Sequence, residues 1–198
     1  MNTAADIKTE RRKLIAVAME LIERRGKLVS NADLAAETQS SRARIDAIIE
    51  DWFAPDVAIM EEVVASDLPI QRKFYEFFAR RFRREQQRLR DDPDTFALYL
   101  ELGEARMEDV RGYIDLADHY MSELVAQAQA EGHFAGLTID AAMSLINQMV
   151  ICYTSPRVLM MLGDRLTEEK LAGIIDTIFA GLSGEDRGAR GVSELRLA

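Results

Sequence analysis

The chain has 198 residues, of which 48% are hydrophobic, and a formal net charge of −9. This length and composition allow a substantial buried core, in one large or two small domains. The single Cys152 excludes an internal disulfide, and the sequence has no N-terminal apolar run and no segment long enough to cross a bilayer, so it predicts a reduced, cytoplasmic protein without a membrane partner. Few β-branched runs and long stretches of Ala, Leu, Glu and Arg predict an all-α fold.

The segment from Arg11 to Ile59 predicts three short helices joined by tight turns. Helix 1 has an apolar face, and Gly26 stands where the helix should stop; the face consists of Leu14, Val17, Ala18, Leu21 and Ile22. A capping box from Ser30 to Asp33 starts a second helix over residues 31–38. A polar turn then precedes a third helix, which opens at Arg42. This outline is typical of a helix-turn-helix DNA reader.

The charge of this predicted reader is balanced. Residues 1–53 contain nine basic and nine acidic side chains, so the rest of the chain carries the whole negative excess. DNA phosphates favour Lys and Arg, and a neutral reader therefore predicts modest affinity with few phosphate contacts. The basic residues near the N-terminus, Arg12 among them, could reach a phosphate or simply lie solvated at a helix start.

The remaining chain predicts further helices. Pro55 fits the first turn of a fourth helix that ends near Ser66, and a long helix follows over residues 69–90. One stripe of this long helix is aromatic and predicts core, namely Phe74, Phe77, Phe78 and Phe82. Its arginines predict a solvent-exposed face, namely Arg80, Arg81, Arg83, Arg84, Arg88 and Arg90.

Local signals mark the later helix boundaries. The run of residues 91–94 predicts a helix start, Gly132 and Gly136 predict a break, and Thr138 predicts a helix cap. Pro156 should kink or split the helix that follows. The last helix is predicted from Thr167 to about Leu182. We predict a disordered tail over residues 185–198.

These features resemble the tetracycline-repressor (TetR) family of transcriptional regulators. Helix 1 ends in Gly as in that family, and Asp33-Leu34-Ala35 resembles the end of its second helix. The family's Gly-Val-Ser turn corresponds here to Gln39-Ser40-Ser41. The segment Trp52-Phe53-Ala54-Pro55 resembles the family's aromatic hinge, displaced by one helical turn. Asp56 stands where the family has Lys. Further segments resemble its ligand-binding and dimerisation domain, namely residues 74–78, 131–134, 155–156 and 174–182.

The resemblance implies a helix-turn-helix domain over residues 1–54 and a helical ligand-binding and dimerisation domain over residues 55–184. It implies a homodimer, formed through the two C-terminal helices, that binds a palindromic double-stranded DNA operator and is released by a small-molecule effector. The residues expected to contact DNA are Ser30, Asn31, Gln39, Ser40, Ser41, Arg42 and Arg44. The alternative is a TetR-fold protein that has lost operator binding and acts as a ligand- or protein-binding partner.

Methionine and aromatic side chains on the C-terminal helices predict a deformable apolar pocket for a hydrophobic or aromatic effector. The predicted lining comprises Phe96, Tyr99, Met107, Tyr120, Met121, Met149, Cys152 and Tyr153. Each of these side chains is also compatible with simple core packing.

Residues for catalysis are sparse in this sequence. Asp115, Asp118 and His119 could hold a metal, but this pattern is more typical of a solvated helix face. No phosphate loop or nucleophile motif is present. The sequence therefore predicts no enzyme, no catalytic or metal site and no cofactor.

Overall fold

The structure is a computed structural model that describes residues 4–25, 33, 36–37, 42–105 and 107–183. Over these residues the chain forms eight α-helices and one 3-10 turn, without a β-strand, which confirms the predicted all-α fold. The helices are α1 (Ala4–Arg25), α2 (Arg42–Ala65), α3 (Ile70–Asp91), α4 (Pro93–Ala105), α5 (Met107–Ala130), α6 (Ile139–Thr154), α7 (Pro156–Leu162) and α8 (Glu168–Ser183), with the 3-10 turn at Gly163–Arg165. The predicted helix over residues 31–38 and the predicted tail lie almost wholly outside the described residues.

Four helices begin where capping residues predict a start. In each, a side-chain oxygen accepts a hydrogen bond from the backbone N–H three residues later, which satisfies one of the unpaired donors of the first turn. These oxygens belong to Asp92 for α4, Thr138 for α6, Ser155 for α7 and Thr167 for α8. The predicted starts near residues 91–94, 138, 156 and 167 are confirmed.

The turn between α5 and α6 depends on left-handed backbone conformations. Gly132 has a φ of 91° and Gly136 a φ of 74°, values that glycine adopts without steric cost. Phe134 between them has a φ of 58°, and its side chain is fully buried. Burial of this ring therefore offsets the backbone strain of a non-glycine residue in that region.

The chain divides into two compact units. The first comprises Met1–Glu61 and Arg81–Ala117, and the second comprises Glu62–Arg80 and Asp118–Ala198. The predicted boundary between residues 54 and 55 falls inside α2, and the two-domain division at that point stays a prediction.

The core of the first unit forms where α1 packs against α4. Leu14, Ala18 and Leu21 of the predicted apolar face are buried, as are Ile15 and Phe96. The apolar spacing of helix 1 thus identified the side of α1 that faces the core.

The core of the second unit is aromatic. Phe74 of α3 lies edge-on to Phe134 and to Phe179 of α8, with ring centroids 5.9 and 5.1 Å apart. Phe77 and Phe78 are buried in the same unit, and Phe82 is buried in the first unit. The predicted aromatic core stripe of this helix is confirmed.

Helix α2 runs without interruption through Pro55. The prediction that Pro55 starts a separate helix is wrong. Proline inside a helix removes one backbone hydrogen bond and crowds the carbonyl four residues earlier, so a continuous helix needs support at this turn. That support comes from side chains of α3, which are described below.

Candidate nucleic-acid interface and its anchoring cluster

The predicted DNA contacts lie at and before the start of α2. Ser30, Asn31, Gln39, Ser40 and Ser41 are outside the described residues. Arg42 and Arg44 belong to the first turn of α2, and their side chains are also outside the described part. Contact of these residues with DNA stays a prediction, and the structure describes instead how the following turns of α2 are held.

Trp52 anchors α2 to two other helices of the first unit. The ring of Tyr99, on α4, stacks on Trp52 with centroids 3.8 Å apart and planes inclined by 28°. The guanidinium carbon of Arg88, on α3, lies 3.8 Å from the Trp52 ring centroid. Stacking and cation–π contacts of this kind each contribute about 0.5–1.5 kcal/mol beyond burial of the ring. Trp52 is therefore a fixed point of the helix that Arg42 opens.

The backbone carbonyl of Trp52 accepts two further hydrogen bonds from α3. Nη2 of Arg88 donates to it at 2.6 Å, and Nη1 of Arg84 donates to it at 3.3 Å. The carbonyl lies one residue after that of Asp51, whose usual helical donor is missing because Pro55 has no N–H. Side-chain donors of α3 thus occupy the turn of α2 that the proline weakens.

Carboxylates hold the two arginines in place. Asp56 Oδ2 is 3.2 Å from Nη1 of Arg84 and 3.8 Å from Nη1 of Arg88, and Glu85 pairs with Arg88 as well. Asp56 Oδ1 is buried without a hydrogen-bond partner among the described residues. We call Trp52, Asp56, Arg84, Arg88 and Tyr99 the Trp52 cluster.

The predicted solvent-exposed arginine face of α3 needs correction. Arg83 and Arg90 are exposed as predicted, but the side chains of Arg84 and Arg88 are only 22% and 18% exposed. Arg81 places its Nη1 at 3.3 Å from the sulfur of Met60. The 3-1-3 spacing of Arg81, Arg84, Glu85 and Arg88 puts them on one helix face, a signal that sequence reasoning missed.

Burial shifts the pKa values of Asp56 and of two charged side chains of α3 beside the Trp52 cluster. Burial raises the pKa of Asp56 above its ordinary 3.8, although Arg84, Arg88 and Arg81 oppose the shift. Burial also raises the pKa of Glu85. The negative charge of Asp56 adds to this shift, and Arg88 opposes it. The guanidinium of Arg81 is enclosed, and burial lowers its pKa to about 10 despite Asp56 and Glu85. Charged groups are thus held here at a desolvation cost.

This cost predicts the pH dependence of an Asp56→Asn variant. Because the folded protein binds a proton at Asp56 more tightly than the unfolded chain does, the stability from this group is present below pH 3.8 and is lost as pH rises through the folded-state pKa. Asn does not titrate. The free energy of unfolding of Asp56→Asn relative to that of the wild type, measured by urea titration, should therefore be higher at pH 7 than at pH 4.

Glu76 of the second unit provides the opposite control. Burial alone would raise its pKa, but Arg80 and Arg72 outweigh burial and hold the pKa below the ordinary 4.5. Its contribution is present above pH 4.5 and is lost as pH falls through the lowered pKa. The free energy of unfolding of Glu76→Gln relative to that of the wild type should be lower at pH 7 than at pH 4. Parallel trends for the two variants would contradict the prediction.

Arg12, one of the predicted N-terminal basic residues, is engaged within the first unit. Its Nε donates to Oγ1 of Thr95 at 2.8 Å, and its Nη2 pairs with Asp92. These bonds join α1 to the start of α4. Arg12 therefore has a structural role in this structure, which makes it a poor candidate for a phosphate contact.

The predicted pocket residues fall into both units. Phe96 and Tyr99 lie in the first unit, and the ring centroid of Phe96 is 6.1 Å from that of Trp52. The side chain of Met107 is outside the described part. The others belong to the second unit, namely Tyr120, Met121, Met149, Cys152 and Tyr153. The contact of all eight with an effector stays a prediction.

Within the second unit these side chains differ in environment. Met121 is buried, and the hydroxyl of Tyr153 donates to the carbonyl of Thr167 at 3.2 Å. Tyr120 and Cys152 are half-buried, and Met149 is exposed. Met121 and Tyr153 therefore act as core residues in this structure.

Helices α6 and α8 pack against each other and each leaves one face uncovered. On α6, Leu145 and Met149 are exposed one turn apart. On α8, Gly173, Thr177 and Gly181 are exposed at intervals of four residues, which places them in one row. Apolar and small side chains on adjoining helices form a surface that another helix pair could approach closely.

Two further properties concern the described residues only. None of their helices has the length and apolar character that crossing a bilayer requires. They contain no group of three His, Cys, Asp or Glu side chains arranged to hold a metal ion. His119, a predicted metal candidate, has its Nε2 at 3.1 Å from Glu123.

Residues 71–175, more than half of the chain, match the family model of the tetracyclin repressor-like C-terminal domain. The chain belongs to the TetR family. The resemblance drawn from the sequence is thereby confirmed. No curated protein matches the chain significantly.

The TetR match separates the Trp52 cluster into two parts. Arg84, Arg88 and Tyr99 lie inside the matched span, whereas Trp52 and Asp56 precede it. The cluster thus joins the TetR C-terminal segment to the helix that carries Arg42 and Arg44.

Proposed function

We propose that the protein is a cytoplasmic, ligand-responsive transcriptional regulator of the TetR family. In this proposal a homodimer binds a palindromic DNA operator and acts as a repressor, and a small apolar or aromatic effector releases it. The match of residues 71–175 to the TetR C-terminal domain carries the proposal. The predicted helix-turn-helix pattern, whose third helix begins at Arg42, supports the DNA-binding part.

The proposed reader places Arg42 and Arg44 at the start of α2, after a polar turn that the sequence predicts at residues 39–41. A recognition helix presents its N-terminal residues to base edges in the major groove. Arginine forms bidentate hydrogen bonds with guanine, and serine hydroxyls and backbone N–H groups bind phosphates. The balanced charge of residues 1–53 implies few phosphate contacts and hence a shallow salt dependence.

The proposed dimer uses the uncovered faces of α6 and α8. Leu145 and Met149 supply apolar area, and the row of Gly173, Thr177 and Gly181 allows close approach of a second α8. A two-fold symmetric arrangement of the four helices would bury these faces together. The resulting symmetry matches a palindromic operator.

The proposed release needs only that effector and DNA favour different conformations of the dimer. A ligand shifts such an equilibrium by no more than its difference in affinity for the two conformations. The methionine and aromatic side chains predicted to line the pocket suit an apolar or aromatic compound.

DNA binding is the part to test first. The purified protein is titrated against fluorescently labelled DNA from immediately upstream of its own coding sequence, with anisotropy measured at about 50 mM and about 200 mM salt. We expect saturable binding that weakens with salt and disappears in the double variant Arg42→Ala, Arg44→Ala. The matched control is Arg83→Ala, Arg90→Ala, which removes two exposed arginines of α3 and the same charge.

A folded dimer that binds this DNA no better than random DNA would contradict the proposal. It would favour the alternative of a TetR-fold partner protein without operator binding. Equal loss of binding in both double variants would point to general electrostatic attraction instead of a reader at Arg42 and Arg44.

A further inference from the structure

We propose that Arg88, with Arg84, is a positioning residue for DNA binding: the two side chains brace the turn of α2 that Pro55 weakens and thereby fix the direction of its N-terminal half. This inference rests on the proposed function, because it assigns α2 as the helix that reads DNA. Arg88 itself touches no DNA in this assignment.

The backbone of α2 is weakened at one turn. Residues 42–54 precede Pro55, and residues 56–65 follow it within the same helix. Proline weakens a helix at the preceding turn and is a common cause of kinks. The carbonyl of Trp52 lies in this turn and receives the guanidinium donors of Arg88 at 2.6 Å and Arg84 at 3.3 Å.

The side chain of Trp52 is held as well as its carbonyl. The guanidinium of Arg88 bonds the Trp52 carbonyl and also lies over the Trp52 ring, at 3.8 Å from its centroid. The ring in turn stacks on Tyr99. Both the backbone and the ring of one residue are therefore fixed, which restricts rotation of α2 as well as bending.

Two carboxylates orient the arginines. Asp56, one turn after Trp52 on α2, pairs with Arg84, and Glu85 pairs with Arg88. A guanidinium has a planar fork of donors, so a carboxylate on one side and a carbonyl on the other define its direction. A lysine at position 88 would keep the charge and lose this geometry.

The anchoring of α2 affects the affinity for DNA. If only a fraction of the molecules hold α2 in the orientation that fits the major groove, the apparent dissociation constant rises by the inverse of that fraction. Loss of the Arg88 contacts lowers the fraction without altering the bound complex. Affinity should therefore fall while the slope of affinity against salt stays the same.

The experiment compares DNA binding of Arg88→Gln with that of Arg83→Gln, which removes an exposed arginine from the same helix. We expect Arg88→Gln to weaken operator binding about tenfold or more, which corresponds to a competent fraction of about one tenth, with an unchanged salt slope. Arg83→Gln should bind as the wild type does. Arg88→Lys should recover part of the loss, since it retains a charge over the ring.

A spectroscopic readout follows the same site directly. Trp52 is the single tryptophan of the chain, so tryptophan emission, excited where tyrosine does not absorb, reports on this cluster. Arg88→Gln should shift the Trp52 emission to longer wavelength and lower its steady-state anisotropy in the free protein. Thermal unfolding followed by circular dichroism verifies that each variant is folded.

Pro55→Ala tests whether Arg88 acts by bracing the turn that Pro55 weakens. Alanine restores the missing N–H and favours helix, so Arg88 should matter less in this background. We expect Arg88→Gln to weaken binding several-fold less in Pro55→Ala than in the wild type. A defect of equal size in both backgrounds would overturn the assignment.

The remaining outcomes separate the two proposals. Wild-type operator affinity in folded Arg88→Gln overturns the positioning role and leaves the proposed function intact. A wild-type protein that shows no specific DNA binding overturns the proposed function, and the positioning role falls with it.

Discussion

Replacing Phe74 with alanine should lower the free energy of unfolding by about 3–5 kcal/mol, the largest stability loss that we expect from a single substitution. Phe74 is completely buried and meets the rings of Phe134 and Phe179 edge-on. Alanine removes the ring, and the cavity remains because the neighbouring rings are held by α8 and by the strained turn at Phe134. Urea unfolding at fixed protein concentration measures the loss.

Two variants calibrate this result. Phe74→Leu keeps most of the apolar volume and should cost clearly less than alanine. Met161→Ala removes a large apolar side chain that is 77% exposed, and should change the stability by no more than about 0.5 kcal/mol. A Phe74→Ala loss as small as that of Met161→Ala would show that this aromatic cluster does not form the core of the second unit.

Replacing Asp92 with alanine should lower the free energy of unfolding by about 2–3 kcal/mol, the second largest effect that we expect. Asp92 is buried and accepts the N–H of Thr95 at the start of α4, and a missing N-cap costs about 1 kcal/mol. It also neutralises Arg12 of α1. Because Arg12 is 49% exposed, solvent screens this ion pair, and we expect it to contribute less than a fully buried pair.

Asp91 is the matched control for Asp92. It is the preceding aspartate, it is exposed, and it accepts a hydrogen bond only from the side chain of Gln87 among the contacts described. Asp91→Ala should change the stability by no more than about 0.5 kcal/mol, and Asp92→Asn should retain the cap and lose roughly half as much as alanine. Equal effects of Asp91→Ala and Asp92→Ala would refute the role of Asp92 in joining α1 to α4.

Local chemistry made several elements of the fold predictable. The starts of α4, α6, α7 and α8 follow from capping oxygens and prolines, whose partners lie within three or four residues. The aromatic stripe of α3 follows from helical periodicity, since a run of phenylalanines on one face must be buried. Both signals are complete within one helix.

Only a part of the candidate site was predictable in the same way. The sequence places Arg42 at a helix start, and Arg42 is the first described residue of α2. The sequence predicts a hinge between two helices at Trp52 and Pro55, because proline usually ends or kinks a helix. The donors that brace this turn, Arg84 and Arg88, lie 32 and 36 residues after Trp52 in the chain.

The arginine run of α3 shows why such contacts escape sequence reasoning. Arg83 and Arg84 are adjacent and identical in type, yet Arg83 is exposed and Arg84 bonds to Trp52 and Asp56. Charged side chains are usually solvated, and burial becomes favourable only when a distant segment brings carboxylates and carbonyls to them. Nothing in the local pattern identifies that segment.

The sequence by itself determined the all-α class, the positions of the later helix starts, the core face of α3 and the resemblance to the TetR family. Each of these depends on residues close together in the chain or on a pattern with helical period. Only the tertiary structure decided that α2 continues through Pro55 and that Arg84 and Arg88 are held beside Trp52 and Asp56. The reason is that proline removes a hydrogen bond locally, whereas the side chains that brace the weakened turn come from another helix.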